Sequence, residues 1–145
     1  MKAAILSWQF WAVLSAVFAA LTAIFAKIGV ENVNPDMATL IRTLVVVVIL
    51  AGIVLATGQW QAPGSVASRT YAFLVLSGLG TGASWLCYFR ALKLGDAARV
   101  APIDKLSVVM VALFGVAFLG ERLSALNWLG VGAIAAGAVL VAYRG

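Results

Sequence analysis

The chain has 145 residues, of which 64% are hydrophobic and 10% charged, and a formal net charge of +5. Soluble domains carry about 45–50% apolar and about 25% charged residues, so a water-soluble globular fold is excluded, because it could not hide this much apolar surface. The basic residues are scattered over segment ends and connectors and form no patch, which argues against nucleic acid as a partner and fits juxtamembrane placement.

A spanning helix needs about 20 mainly apolar residues, because the helix rises about 1.5 Å per residue across a hydrocarbon core of about 30 Å. Five segments meet that requirement, at about 7–26, 37–57, 70–89, 98–119 and 125–143. The first follows Lys2 and carries small residues between Ala16 and Ala26, a pattern shared with signal peptides. Its apolar run is too long for an ordinary signal, Lys27 closes it as an interfacial anchor, and four more spans follow, so it reads as an uncleaved helix. It ends at Lys27-Ile28-Gly29, and Asn34-Pro35-Asp36 turns the chain into the second span, Pro and Asp being suited to a helix start. Gly58 to Ser65 is the longest polar connector. Leu94-Gly95-Asp96 separates spans three and four, with Asp96 placed to cap the fourth, and Ser124 is placed to cap the fifth. The expected fold class is therefore all-α, a polytopic membrane protein with residues 1–145 in a single transmembrane domain.

Five spans put the termini on opposite faces. Lys2, Arg69 and Arg122 fall on the face of Met1, and Lys27, Arg90, Lys93, Arg99 and Arg144 on the other, a ratio of three to five. The positive-inside rule then favours an outer N-terminus and an inner C-terminus. Trp8, Trp60, Tyr71 and Trp128 are expected among the headgroups on the first face.

Helices associate in lipid through small residues that allow close approach and through polar side chains that find partners. Ser15, Ala19 and Ala23 in the first span, Gly78 and Gly82 in the third, and Gly130, Ala133 and Gly137 in the fifth supply such faces. In the third span Thr81, Ser84, Trp85 and Tyr88 lie at i, i+3, i+4 and i+7 and form one stripe. Hydroxyls and rings together suit a substrate cavity, where apolar walls carry a few orienting groups. Trp11 and Ser15, with Phe18 and Thr22, make a weaker stripe on the first span. The same hydroxyls also fit the plainer role of bonding their own helix backbone.

Charges inside a span are costly and usually have partners. Arg42 and Asp104 fall at similar depth, about 10 Å from the second face, and are candidate partners. Asp104 and the adjacent Lys105 point about 100° apart, so that one can face Arg42 while the other faces water or snorkels outward. A locking ion pair, a role in substrate or proton handling, and simple snorkelling all fit these three residues. Pro102 is expected to bend the fourth span near Asp104. One cysteine and no histidine exclude a disulfide framework and a metal-ligand set, and no nucleophile triad or phosphate loop is present. The chain is expected to be no enzyme, with neither cofactor nor metal.

The run Tyr88-Phe89-Arg90-Ala91-Leu92-Lys93-Leu94-Gly95-Asp96-Ala97-Ala98-Arg99-Val100-Ala101-Pro102, then Leu119-Gly120-Glu121-Arg122-Leu123-Ser124, and Trp128-Leu129-Gly130 with Gly137 beyond, resembles the EamA repeat of the drug/metabolite transporter superfamily over essentially the whole chain. Most members of that family carry two such repeats in ten helices, related by inversion, with a central substrate cavity and alternating access. This chain has one repeat and is similar to the short bacterial and archaeal form. The resemblance implies that a second repeat completes the cavity, supplied by a homodimer, possibly antiparallel. Small multidrug resistance proteins are comparable in size but carry a glutamate in helix one, where this chain has no carboxylate.

The resulting expectation is an oligomeric exporter of a small metabolite or drug-like solute in the plasma membrane of a prokaryote, with lipid as its surroundings. A non-transporting assembly or regulatory component of the membrane is the rival, and a lipid-carrier flippase a third reading.

Overall fold

A computed structural model of the chain describes residues 7–143. Lys2 and Arg144, which enter the charge count above, lie outside the described residues. Every regular element among the described residues is helical: α1 (Trp8–Gly29), α2 (Pro35–Ala56), a short 3₁₀ turn (Pro63–Ser65), α3 (Ser68–Leu94), α4 (Ala97–Asp104), α5 (Ser107–Phe118) and α6 (Ala125–Ala142). Five lengths suffice to cross a bilayer, with α4 and α5 together making the fourth, Ala97–Phe118. The chain is an all-α polytopic membrane protein.

Local chemistry sets the helix ends. Asn34 caps α2 by accepting from the Asp36 amide at 2.8 Å, and Pro35 occupies the first turn, where its missing N–H is harmless. Ser124 and Asn127 form a reciprocal box at the start of α6: the Ser124 hydroxyl accepts from the Asn127 amide at 3.2 Å, and the Ser124 amide donates to Asn127 Oδ1 at 3.0 Å. Asp96 occupies the cap position of α4 without capping through its side chain, which turns to Arg99 at 3.9 Å. Gly120 adopts φ +69 in the turn after α5, a conformation that favours glycine.

The fourth span is interrupted just after Asp104, two residues beyond its proline. α4 runs through Pro102 to Asp104, and the chain then tightens: the Leu106 amide donates to Ile103, Val108 to Lys105 and Val109 to Leu106, each at 3.0 Å. These i to i−3 bonds bypass the α-helical acceptors, and α5 resumes at Ser107. The interruption falls beside Asp104, where Pro102 was expected to bend the span.

The described residues form two compact units, one of Ala26–Lys93 and one of residues 7–25 with 94–143. In the first, the buried side chains are Ala26, Val30, Thr39, Phe89 and Leu92, all near the end of α1, the start of α2 and the end of α3. In the second, α4 and α5 pack against α6, and Ala23, Gly115 and Ala138 are buried. Large apolar side chains such as Val48, Leu55, Leu79 and Leu140 are exposed, as expected where the surrounding solvent is hydrocarbon.

Among the glycines the tightest surroundings are those of Gly115. A Cβ built at Gly78, Gly82, Gly130 or Gly137 meets nothing within 4 Å, whereas one at Gly115 would lie 2.5 Å from Glu121 Oε2. The carboxylate of the α5–α6 turn is folded back onto the helix it follows, and the Glu121 amide donates to the Gly115 carbonyl at 3.1 Å.

Candidate functional site

The charged and aromatic residues of the unit Ala26–Lys93 gather on α2 and α3. Arg42 stands seven residues into α2 after Pro35, about 10 Å along the axis. Its guanidinium carbon lies over the Trp85 ring, 3.7 Å from the centroid, and 5.4 Å from that of Phe89. Trp85 and Phe89 are four apart on α3 and therefore share a face. Tyr88 precedes Phe89 on the same helix. Phe89 is buried, while Arg42, Trp85 and Tyr88 are half-buried.

Magnitudes show what the rings accomplish. An arginine at the centre of a spanning helix costs about 2.5–3.5 kcal/mol on insertion scales, and a desolvated cation over an indole recovers about 2 kcal/mol. The stack offsets most of the penalty without a carboxylate and leaves the N–H groups in the guanidinium plane to other partners.

Below this group, at the end of the unit, three cations close the structure. Lys27 Nζ donates to the Leu92 carbonyl at 2.8 Å. Lys93 Nζ donates to the Val30 carbonyl at 2.8 Å, to Glu31 O and, at 3.5 Å, to Val33 O. Arg90 grips Asp36 through Nε at 3.1 Å and Nη2 at 2.9 Å, a two-pronged pair that ties the end of α3 to the start of α2. These cations extend α3 beyond the 70–89 expected from hydropathy: its last turn leaves the apolar run and is held by charge-assisted bonds, with Lys93 at the negative end of the helix dipole.

The other members of the expected stripe have separate fates. Thr81 donates its hydroxyl to the Ser77 carbonyl at 2.9 Å, the plainer of the two roles open to it, and Ser84 is exposed. Trp11 and Ser15 belong to the other unit, both exposed, and Trp11 packs edge-on against Phe10 with centroids 5.5 Å apart. Asp104 and Lys105 also lie there. The 100° separation expected of them fails because α4 ends between them, and Lys105 Nζ reaches Asp104 Oδ2 at 3.1 Å.

Sequence reasoning singled out Arg42, Trp85 and Tyr88 but missed Phe89 as a second ring and the Arg90–Asp36 pair. Lysines in the last turn of a helix are a known signal for carbonyl capping, and Lys27 and Lys93 could have been read that way. Nothing local marks Arg90 and Asp36, which are 54 residues apart.

Comparison with known proteins agrees with this architecture. The chain matches the family model described as the EamA-like transporter family over residues 6–143. It is 71% identical over 136 residues to a protein of Sinorhizobium sp. named "Uncharacterized transporter in cobO 3'region", a similarity covering 94% of this chain and 96% of that relative. No solved structure matches the chain. Since the family match runs through all five spans, the chain belongs to the EamA-like transporter family and is a multi-pass membrane transporter.

Proposed function

We propose that the chain exports a small metabolite across the plasma membrane of a prokaryote, acting as a homodimer by alternating access, with the α3 stripe of Thr81, Ser84, Trp85 and Tyr88 against the substrate. Trp11 and Ser15 on α1 are a second, weaker candidate stripe. The observation that carries this reading is Arg42 over Trp85 inside a span, since a charge kept at that depth is a functional feature by default. The name of the Sinorhizobium relative supports transport, and a family resemblance in which two repeats complete one cavity supports a second copy. No feature of the chain calls for a cofactor.

The test is a metabolite uptake and efflux screen with purified protein in proteoliposomes, combined with crosslinking in native membranes. Directional, saturable flux by a particle of at least dimeric mass is the expected result. Full transport by isolated monomers in nanodiscs rules out the homodimer, and absence of any flux by correctly inserted protein favours a non-transporting role.

A further inference from the structure

The partners of Arg42 define what kind of solute it can take. The unit Ala26–Lys93 contains two carboxylates, Glu31 and Asp36. Asp36 is occupied by both prongs of Arg90, and Glu31 is exposed in the turn after α1. Within the unit Arg42 rests its flat cation on Trp85 and Phe89, and no ion pair joins it to Glu31 or Asp36. A guanidinium resting on a ring retains a rigid fork of N–H donors, and that fork matches the oxygens of a carboxylate or phosphate. Apolar walls cannot satisfy it, because donors removed from water need acceptors.

Charge at this end of the unit points the same way. Lys27, Arg42, Arg90 and Lys93 face two carboxylates, so the approach to Arg42 is net positive, and such a field concentrates anions. Trp85 and Phe89 beside the fork supply an apolar wall for the body of the solute.

We propose that Arg42, backed by Trp85, is the recognition point for an oxyanion head, carboxylate or phosphate, and that the transported solute is a small organic anion. The proposal rests on the transport reading for the word "transported" and on the geometry of α2 and α3 for the rest. A guanidinium stays protonated at any physiological pH, so recognition persists wherever the solute itself is ionised.

Binding is measured without transport, by thermal unfolding of the full chain in phosphate-free dodecyl maltoside. Acetate, benzoate and phenyl phosphate are titrated, with acetamide and benzamide as neutral controls. At least one oxyanion is expected to raise the midpoint saturably while the amides do not. Arg42→Gln should abolish that shift. Arg42→Lys, which keeps charge and loses the fork, should weaken it about tenfold, the loss of one good charge-assisted bond. Trp85→Phe should retain binding and Trp85→Ala weaken it, which keeps the test open if Arg42→Gln fails to fold.

Phosphatidylglycerol added to the detergent distinguishes solute from lipid. An Arg42-dependent shift with that lipid and none with the soluble anions makes Arg42 a headgroup anchor and overturns the proposal. Equal stabilisation by benzamide and benzoate overturns it too, as does unchanged oxyanion binding in both Arg42 variants. Oxyanion binding through Arg42 with no flux in proteoliposomes upholds the site and defeats the transport reading. Flux of cationic or neutral solutes that no oxyanion inhibits does the reverse.

Discussion

Lys27 and Lys93 cap each other's helix: the ammonium near the end of α1 bonds the Leu92 carbonyl of α3, and the ammonium near the end of α3 bonds the Val30 carbonyl that follows α1, each at 2.8 Å. Last-turn carbonyls have no partner within their own helix, and a cation also complements the dipole there. The exchange therefore satisfies two helix ends at once and fastens them together.

Removing either lysine should loosen that end. Lys27→Met and Lys93→Met are each expected to lower the unfolding midpoint in detergent, by on the order of 1 kcal/mol. Lys93→Met should be the more damaging, since Lys93 also reaches Glu31 and Val33. Equal midpoints for wild type and both variants would show that water serves those carbonyls as well.

The Gly115–Glu121 contact predicts a change of sign. Alanine at 115 gains about 0.5–1 kcal/mol over glycine in a helix interior, but its Cβ would lie 2.5 Å from the Glu121 carboxylate. Gly115→Ala should therefore be neutral or mildly destabilising in the wild type and stabilising once Glu121→Ala has cleared the space. Denaturation of the four proteins measures both effects.

Trp85→Ala and Tyr88→Ala should impair transport while leaving membrane insertion intact. Losing the ring beneath a desolvated cation forfeits about 2 kcal/mol, or about thirtyfold in an equilibrium. Flux in proteoliposomes, normalised to inserted protein, gives the answer, and full activity in both variants removes the stripe from the substrate path.

Asp104 and Lys105 should behave as a unit at the break in the fourth span. Asp104→Leu and Lys105→Leu are each expected to lower folded yield, and the double variant to recover part of the loss. The penalty for one orphaned charge should fall below the about 3–5 kcal/mol of a fully buried pair, since both side chains are partly exposed.

Cysteines introduced at Lys2 and Arg144 should label from opposite faces of the membrane. A single population labelled at both positions from one face would refute five spans.

What could be read from the sequence was what short stretches determine. Twenty apolar residues commit a segment to the bilayer wherever they occur, and the caps at Asn34 and Ser124 involve neighbours two or three residues away. Arg42 could be flagged because a charge in a span is conspicuous, yet its aromatic support lies 43 residues further along, and the pairing depends on how α2 and α3 meet. The interruption beside Asp104 was legible because Pro102, two residues earlier, removes a backbone donor, whereas the i to i−3 bonds that follow it have no local sequence mark. Hydropathy likewise cut α3 short, because it scores side chains and cannot see the carbonyls that hold Lys93.

The crowding of buried residues at one end of the unit Ala26–Lys93 has a mechanical corollary. From Tyr71 to Gly80 every residue of α3 is exposed, and in α2 burial is confined to Thr39, in the first two turns. Two rods pinned at one end pivot there, and displacement grows with distance from the pin. A tilt of about 10° over the roughly 20 Å of α2 beyond Arg42 moves its far tip by about 3–4 Å and leaves the stacked guanidinium nearly still. Amide exchange should register this as a gradient, slow beside Leu92 and faster with each turn toward Ala56.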